Sequence, residues 1–161
     1  MSDSIQKITP FLWFDHQAEE AAKFYTSVFP GSAIHLVTHY GEGAPMPAGT
    51  VMTVAFELEG QKFTALNGGP HFKFTEAISF VVHCETQQEV DHYWDTLSAD
   101  GGQVIQCGWL KDKFGVTWQI VPATFIEMMR DRDTERKSRV MKAMMKMKKL
   151  DIAELEAAWR G

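Results

Sequence analysis

The sequence predicts an α+β fold: paired βαβββ modules forming a cupped mixed β-sheet with helices on the outside, followed by a C-terminal helical tail. Three observations carry this reading. A strand-plus-helix pattern recurs at an offset of 69 residues, so that Phe11 falls on Phe80, Glu20 on Glu89, and Phe24-Tyr25 on Tyr93-Trp94. Strand patterns bounded by Gly and Pro follow each helix. The last forty residues are basic and Met-rich and lack any strand alternation. Two halves sharing one buried pattern point to duplication of a supersecondary unit.

Module one spans 5–70. A short apolar strand at 7–14 leads into a helix whose set Ala21, Phe24, Tyr25, Val28 has the i, i+3, i+4, i+7 spacing of an amphipathic face. Phe29-Pro30-Gly31 stops it. Ala33 to Tyr40 is strand-like, Gly41 to Gly49 is a loop by its Gly and Pro content, and 51–58 alternates. Glu59-Gly60 then turns tightly into a strand at Gln61 to Asn67. Module two spans 76–123. Its strand at 77–84 precedes a helix opened by Thr86-Gln87-Gln88-Glu89, where Thr and Glu satisfy otherwise free backbone donors, and Gly101-Gly102 closes it. Gln103 to Trp109 and Gly115 to Val121 read as strands joined by the turn 110–114. The two modules make one domain, 1–123, and 124–161 is a helical extension. In it Phe125 to Met129 is a short helix and Glu135 to Leu150 a longer one. Val140, Met141, Met144, Met145 and Met147 form the core side of that longer helix, and Asp151 caps a last helix.

At 161 residues, 45% hydrophobic and 23% charged, the chain is ordinary globular material. It has no apolar run near the roughly 20 residues that span a bilayer. Its opening lacks a basic stretch followed by an apolar one, so no signal peptide is expected. Cys84 and Cys107 are the two cysteines, without CxxC spacing, which excludes a disulfide framework or a Cys-rich zinc site. A cytoplasmic protein without a membrane partner is expected. The net charge of −5 is uneven: residues 130–149 hold nine Lys or Arg against three acids. Few aromatics are interleaved there for base stacking, so a solvated helix face is expected and a nucleic-acid partner is not.

Strand parity nominates a pocket lining. Pro10, Leu12 and Phe14 share one face of the first strand, and Ser79, Val81 and His83 the matching face of its repeat. Thr64, Leu66, Thr117 and Gln119 come from the closing strands. Such a lining is mostly apolar with a few polar anchors, the usual character of a small-molecule site. Leu12, Phe14, Leu66 and Val81 would bury the apolar part of a ligand, and Ser79, Gln119 and His83 would orient it by hydrogen bonds. The other histidines carry no site. His35 and His39 lie on one strand face with no carboxylate readable beside them, and His71 is at most a pocket rim. Scattered acids such as Glu57 and Glu76 form no pair of readable spacing.

The segments FDHQAEEAAKFYTSVFPGS, LNGGPHFKFTEAISFVVHC and CGWLKDKFGVTWQIVP, with the ending SRVMKAMMKMKKLDIAELEAAWRG, resemble the vicinal oxygen chelate superfamily, the glyoxalase and bleomycin-resistance fold. More narrowly, they resemble its 3-demethylubiquinone-9 3-methyltransferase-like branch. The resemblance covers nearly the whole chain and implies paired βαβββ modules, usually in a homodimer. In metal-using members of the superfamily it also implies His or Glu ligands on the first and last strands of each module. The positions that match are Pro10, Leu66, Ser79 and Gln119, none of them an ionisable ligand. An empty metal site is therefore expected. Neither Gly41-Glu42-Gly43 nor Gly68-Gly69 leads into a helix, as the strand–turn–helix fingerprint of a nucleotide site requires, and no cofactor is expected. The reading is a homodimeric, metal-free small-molecule-binding protein. An enzyme of the same superfamily is the alternative: a metal-dependent lyase or dioxygenase, or the methyl transfer of the branch label.

Overall fold

The computed structural model describes residues 5–161. The chain divides into two compact units, Met1–Lys73 and Phe74–Gly161, and each carries one four-stranded sheet. In the first unit β1 (Phe11–Phe14) is followed by α1 (Ala18–Val28), β2 (Ala33–His39), β3 (Val51–Leu58) and β4 (Gln61–Asn67). The sheet order is β1-β4-β3-β2, with β1 parallel to β4 and the other two pairs antiparallel. Glu59 and Gly60, with φ of 47° and 89°, form the two-residue hairpin between β3 and β4; left-handed backbone at both positions matches the twist of the strands it joins.

Alternation divides this sheet into two faces. Leu12, Phe14, Val54, Phe56, Leu58, Phe63 and Ala65 are buried on one, together with Ala21, Ala22, Tyr25 and Val28 of α1. The alanines let the helix approach closely, and Tyr25 stacks on Phe56 at 6.1 Å between ring centroids, Phe56 on Phe63 at 5.3 Å. Each such aromatic contributes roughly 1.5–3 kcal/mol through burial. On the other face lie Phe11, Trp13, Thr64 and Leu66, of which Phe11 is 60% exposed.

The second unit runs β5 (Phe80–Cys84), α2 (Gln87–Ser98), β6 (Gln103–Val104), β7 (Trp109–Lys111) and β8 (Thr117–Pro122), then α3 (Ala123–Arg130), α4 (Thr134–Met144) and α5 (Ile152–Arg160). Its sheet order, β5-β8-β7-β6, repeats that of the first. As the sequence predicts, the Thr86 side chain accepts from the Glu89 amide and Asp151 from that of Glu154. Two expectations change. The strand read at 103–109 is two strands, because Cys107 (φ 60°) and Gly108 (φ 83°) reverse the chain. Their amides donate to the carbonyls of Met147 and Lys148 at 2.8 and 2.7 Å, so this corner bonds to the tail instead of extending a ladder. The helix read at 135–150 ends at Met144, after which Lys146 and Met147 donate three residues back, to Ala143 and Met144, the tighter geometry in which helices run out. Its methionine stripe is consequently split: Met147 is buried with Met128, Val140, Leu150 and Leu155, while Met141 and Met145 are 38% and 65% exposed.

The repeat has a phase error that the sequence hides. Buried helix residues superpose at the 69-residue offset, Ala21, Tyr25 and Val28 on Val90, Trp94 and Leu97. The strands do not. Leu12 and Phe14 are buried, but in β5 the sheltered residues are Phe80, Val82 and Cys84, and Val81 and His83 are exposed. Three residues link β1 to α1 and only two link β5 to α2. Removing one residue turns every strand side chain to the opposite face.

Candidate functional site

That phase shift divides the seven residues given ligand-binding roles. Leu12 and Phe14 are 7% and 2% exposed and belong to the core of the first unit. Leu66 pairs with Trp13, one residue out of phase with them, and so lies on the opposite face of their sheet. A lining that joins Leu12 and Phe14 to Leu66 is therefore corrected by the register.

Ser79, Val81, His83 and Gln119 do come together, on the face of the second sheet opposite Val82, Leu110, Trp118 and Ile120. Val81 stands opposite Gln119 and His83 opposite Val121 in the parallel β5–β8 ladder. Gln119 donates from Nε2 to Ser79 Oγ at 2.8 Å, which orients the amide and leaves its carbonyl oxygen available as an acceptor. Val81, 43% exposed, offers apolar surface beside it. Parity alone missed Trp109 and Lys111. They join this face from β7, Trp109 opposite Gln119 and Lys111 opposite Thr117. The Lys111 ammonium meets the Glu76 carboxylate at 2.5 Å, and that hydrogen bond holds Glu76 below the usual carboxylate range. Thr117 is buried, with no hydrogen-bond partner for its hydroxyl among the described residues.

In the first unit the open face is organised by Trp13. Its indole nitrogen donates to Gly69 O at 2.9 Å, and its ring meets Phe72 edge-on at 4.9 Å. A Cβ on Gly68 would come within 2.3 Å of the indole. Glycine at 68 thus makes room for tryptophan, and the Gly68-Gly69 turn is filled by a side chain instead of open to a phosphate. The same sheet carries a groove of about 560 Å³, lined among others by Thr9, His35, Glu57, Lys62 and Thr64. His35 Nε2 lies 3.3 Å from Glu57 Oε2, so the histidine does have a carboxylate beside it. Sequence spacing could not reveal this, because 22 residues and a strand crossing separate the two.

The donor set does not suit a divalent cation. Leu66 has no donor atom, Ser79 and Gln119 bond each other, and His83 is the lone imidazole on its face. Among the described residues no three His, Cys, Asp or Glu side chains gather closely enough to share a metal ion. Cys84 is buried, and desolvation, reinforced by Glu89 and Glu85, pushes its thiol up to about 12. It is therefore no thiolate nucleophile near neutrality. Among the described residues no helix is long and apolar enough to cross a membrane.

Comparison with known proteins agrees with this architecture. The family described as 3-demethylubiquinone-9 3-methyltransferase matches residues 6–121. A Bacillus cereus protein, named as a candidate 3-demethylubiquinone-9 3-methyltransferase and PhnB protein, is 40% identical with a TM-score of 0.67; the match covers 73% of this chain and 100% of that one. Protein PA1353 from Pseudomonas aeruginosa shares the fold at 21% identity and a TM-score of 0.60, over 74% of this chain and 98% of its own. A glyoxalase/bleomycin resistance protein from Albidiferax ferrireducens is a more distant likeness, with 12% identity and a TM-score of 0.47 over 73% and 98%. No curated protein matches the chain. The matched region ends where the helical tail begins, and it contains the repeated strand order described above: the chain belongs to the 3-demethylubiquinone-9 3-methyltransferase family.

Proposed function

We propose that this chain is a metal-free small-molecule-binding protein, cytoplasmic and homodimeric. Its ligand is an apolar or aromatic molecule with a hydrogen-bonding group. The observation that carries the reading is the Gln119–Ser79 pair: an amide fixed by its neighbour's hydroxyl, with exposed Val81 beside it and Trp109 on the next strand. A few oriented polar groups within apolar surroundings are what a small-molecule site needs. Phe11 in the first unit and Ile78 in the second, 60% and 73% exposed, are each apolar surface that a second subunit would cover.

Calorimetric titration with a panel of substituted phenols and benzamides tests the ligand. Saturable binding that Gln119→Leu weakens about tenfold, the loss of an oriented hydrogen bond, supports the site. Binding unchanged in that variant removes it. Zinc or nickel should leave the melting temperature unmoved, and stoichiometric tight metal would overturn the metal-free reading. The family's description favours a second reading, methyl transfer, and calorimetric binding of S-adenosylmethionine is its test.

A further inference from the structure

We propose that the groove on the first unit is a second binding site, for a small oxyanion such as a carboxylate or phosphate group, with Lys62 as its charge partner. The site is built by a strand irregularity. The β2–β3 pairing shifts between Ile34 and Leu36, so His35 is the extra residue of a bulge. Bulges re-aim side chains, and this one brings the imidazole 3.3 Å from Glu57 Oε2.

That contact decides the electrostatics of the groove. Glu57 stands directly opposite Lys62 in the β3–β4 ladder, where an opposite-charge pair would ordinarily form. Glu57 is instead taken by His35, and among the described residues no carboxylate lies within ion-pairing distance of the Lys62 ammonium. Among the described residues the half-buried Lys62 ammonium thus has no direct ion-pair partner. Thr64, two residues further along the same face of β4, adds a hydroxyl donor to the lining, and Thr9, on the segment entering β1, lines it with a hydroxyl that donates to Gln6 O at 3.4 Å. Gln6 fixes that segment against β4: its amide donates to Lys62 O at 3.1 Å and accepts from Lys62 N at 3.2 Å. A cation with hydroxyls in a partly enclosed groove is a recognition set for oxygen anions. The site does not depend on the Gln119 face and stands whether or not that face binds.

The test is heteronuclear NMR of the full chain, titrated separately with inorganic phosphate and with acetate. Saturable amide shifts at the groove are expected with at least one probe, and which probe acts identifies phosphate or carboxylate as the preferred group. Lys62→Gln should weaken binding about tenfold, the loss of one charge-assisted hydrogen bond, whereas Lys62→Arg should retain it. Glu57→Gln should strengthen binding, because it removes the carboxylate that stands opposite Lys62 in the groove; a residue with a purely structural role would weaken it. The spectra report folding of each variant directly. No saturable shift at the groove with either probe, equal binding in Lys62→Gln, or weaker binding in folded Glu57→Gln would each overturn the proposal.

Discussion

Asn67 does the work that the residue before α1 does not. Gln17 makes no side-chain cap; instead the Ala18 amide donates to Asn67 Oδ1 at 2.8 Å, and Asn67 Nδ2 donates to Val51 O at 3.1 Å. One buried side chain thus ties the start of a helix to two strands. Asn67→Ala leaves a helix amide and a strand carbonyl unpaired and should cost about 2 kcal/mol, read from urea unfolding. Asn67→Asp preserves the acceptor for Ala18 but sets a carboxylate against Val51 O, so it should recover only part of the loss. Asp112 plays the comparable part in the second unit. It is 3% exposed and accepts from the amides of Phe114 and Val116 and from Trp118 Nε1 at 2.9–3.0 Å. Removing it strands three donors at the β7–β8 turn. Asp112→Ala should destabilise by about 3 kcal/mol, with a change in tryptophan fluorescence as Trp118 loses its partner.

At the scale of elements, how much the sequence reveals depends on periodicity. Helices α1 and α2 are legible because their apolar residues recur at 3.6-residue spacing, which survives one residue gained or lost before the helix. Strand facing is not legible in the same way, since its period is two and the shorter β5–α2 link inverts it. Parity alone therefore groups Val81 and His83 with Leu12 and Phe14, which are core. A better signal was available: Cys84, a residue type usually buried, aligns with Phe14 once the link is shortened. The β6–β7 break was hidden for another reason, that its cause lies forty residues away in the carbonyls of Met147 and Lys148. The glycines that such close approaches require are the places to test this. An alanine at Gly68 would place its Cβ 2.3 Å from the Trp13 ring. Gly68→Ala should therefore displace the indole, break its bond to Gly69, and cost about 1–3 kcal/mol as overpacking does. Trp13→Leu in the same background should relieve part of that strain, an interaction a double-mutant cycle would measure.

For the whole molecule, the shifted groups set a stability plateau with two limbs. On the acid side Glu76 is lowered by its hydrogen bond from Lys111, Asp91 by Gln87 and then Lys149, and Asp133 by the Arg136 amide. A carboxylate lowered in the folded state favours folding above its unfolded pKa and loses that contribution as pH falls through the folded value. All three are largely solvated, so this limb should be shallow and weaken further in high salt. On the alkaline side Lys149 is raised by Asp91 and the Cys84 thiol by burial, the latter to about 12. A raised group contributes fully below its unfolded pKa, and for Cys84 that contribution is lost as pH climbs from the ordinary thiol value near 8.5 toward about 12. Melting temperature measured against pH should therefore hold level near neutrality and fall more steeply in alkali than in mild acid. Cys84→Ala separates the causes: truncating a buried side chain lowers the plateau, yet the unfolded chain no longer has that thiol to ionise, so the alkaline limb should flatten. An unchanged alkaline slope in that variant would assign the limb to Lys149, whose bond to Asp91 ties the tail segment to α2, and Lys149→Ala should then be the substitution that flattens it.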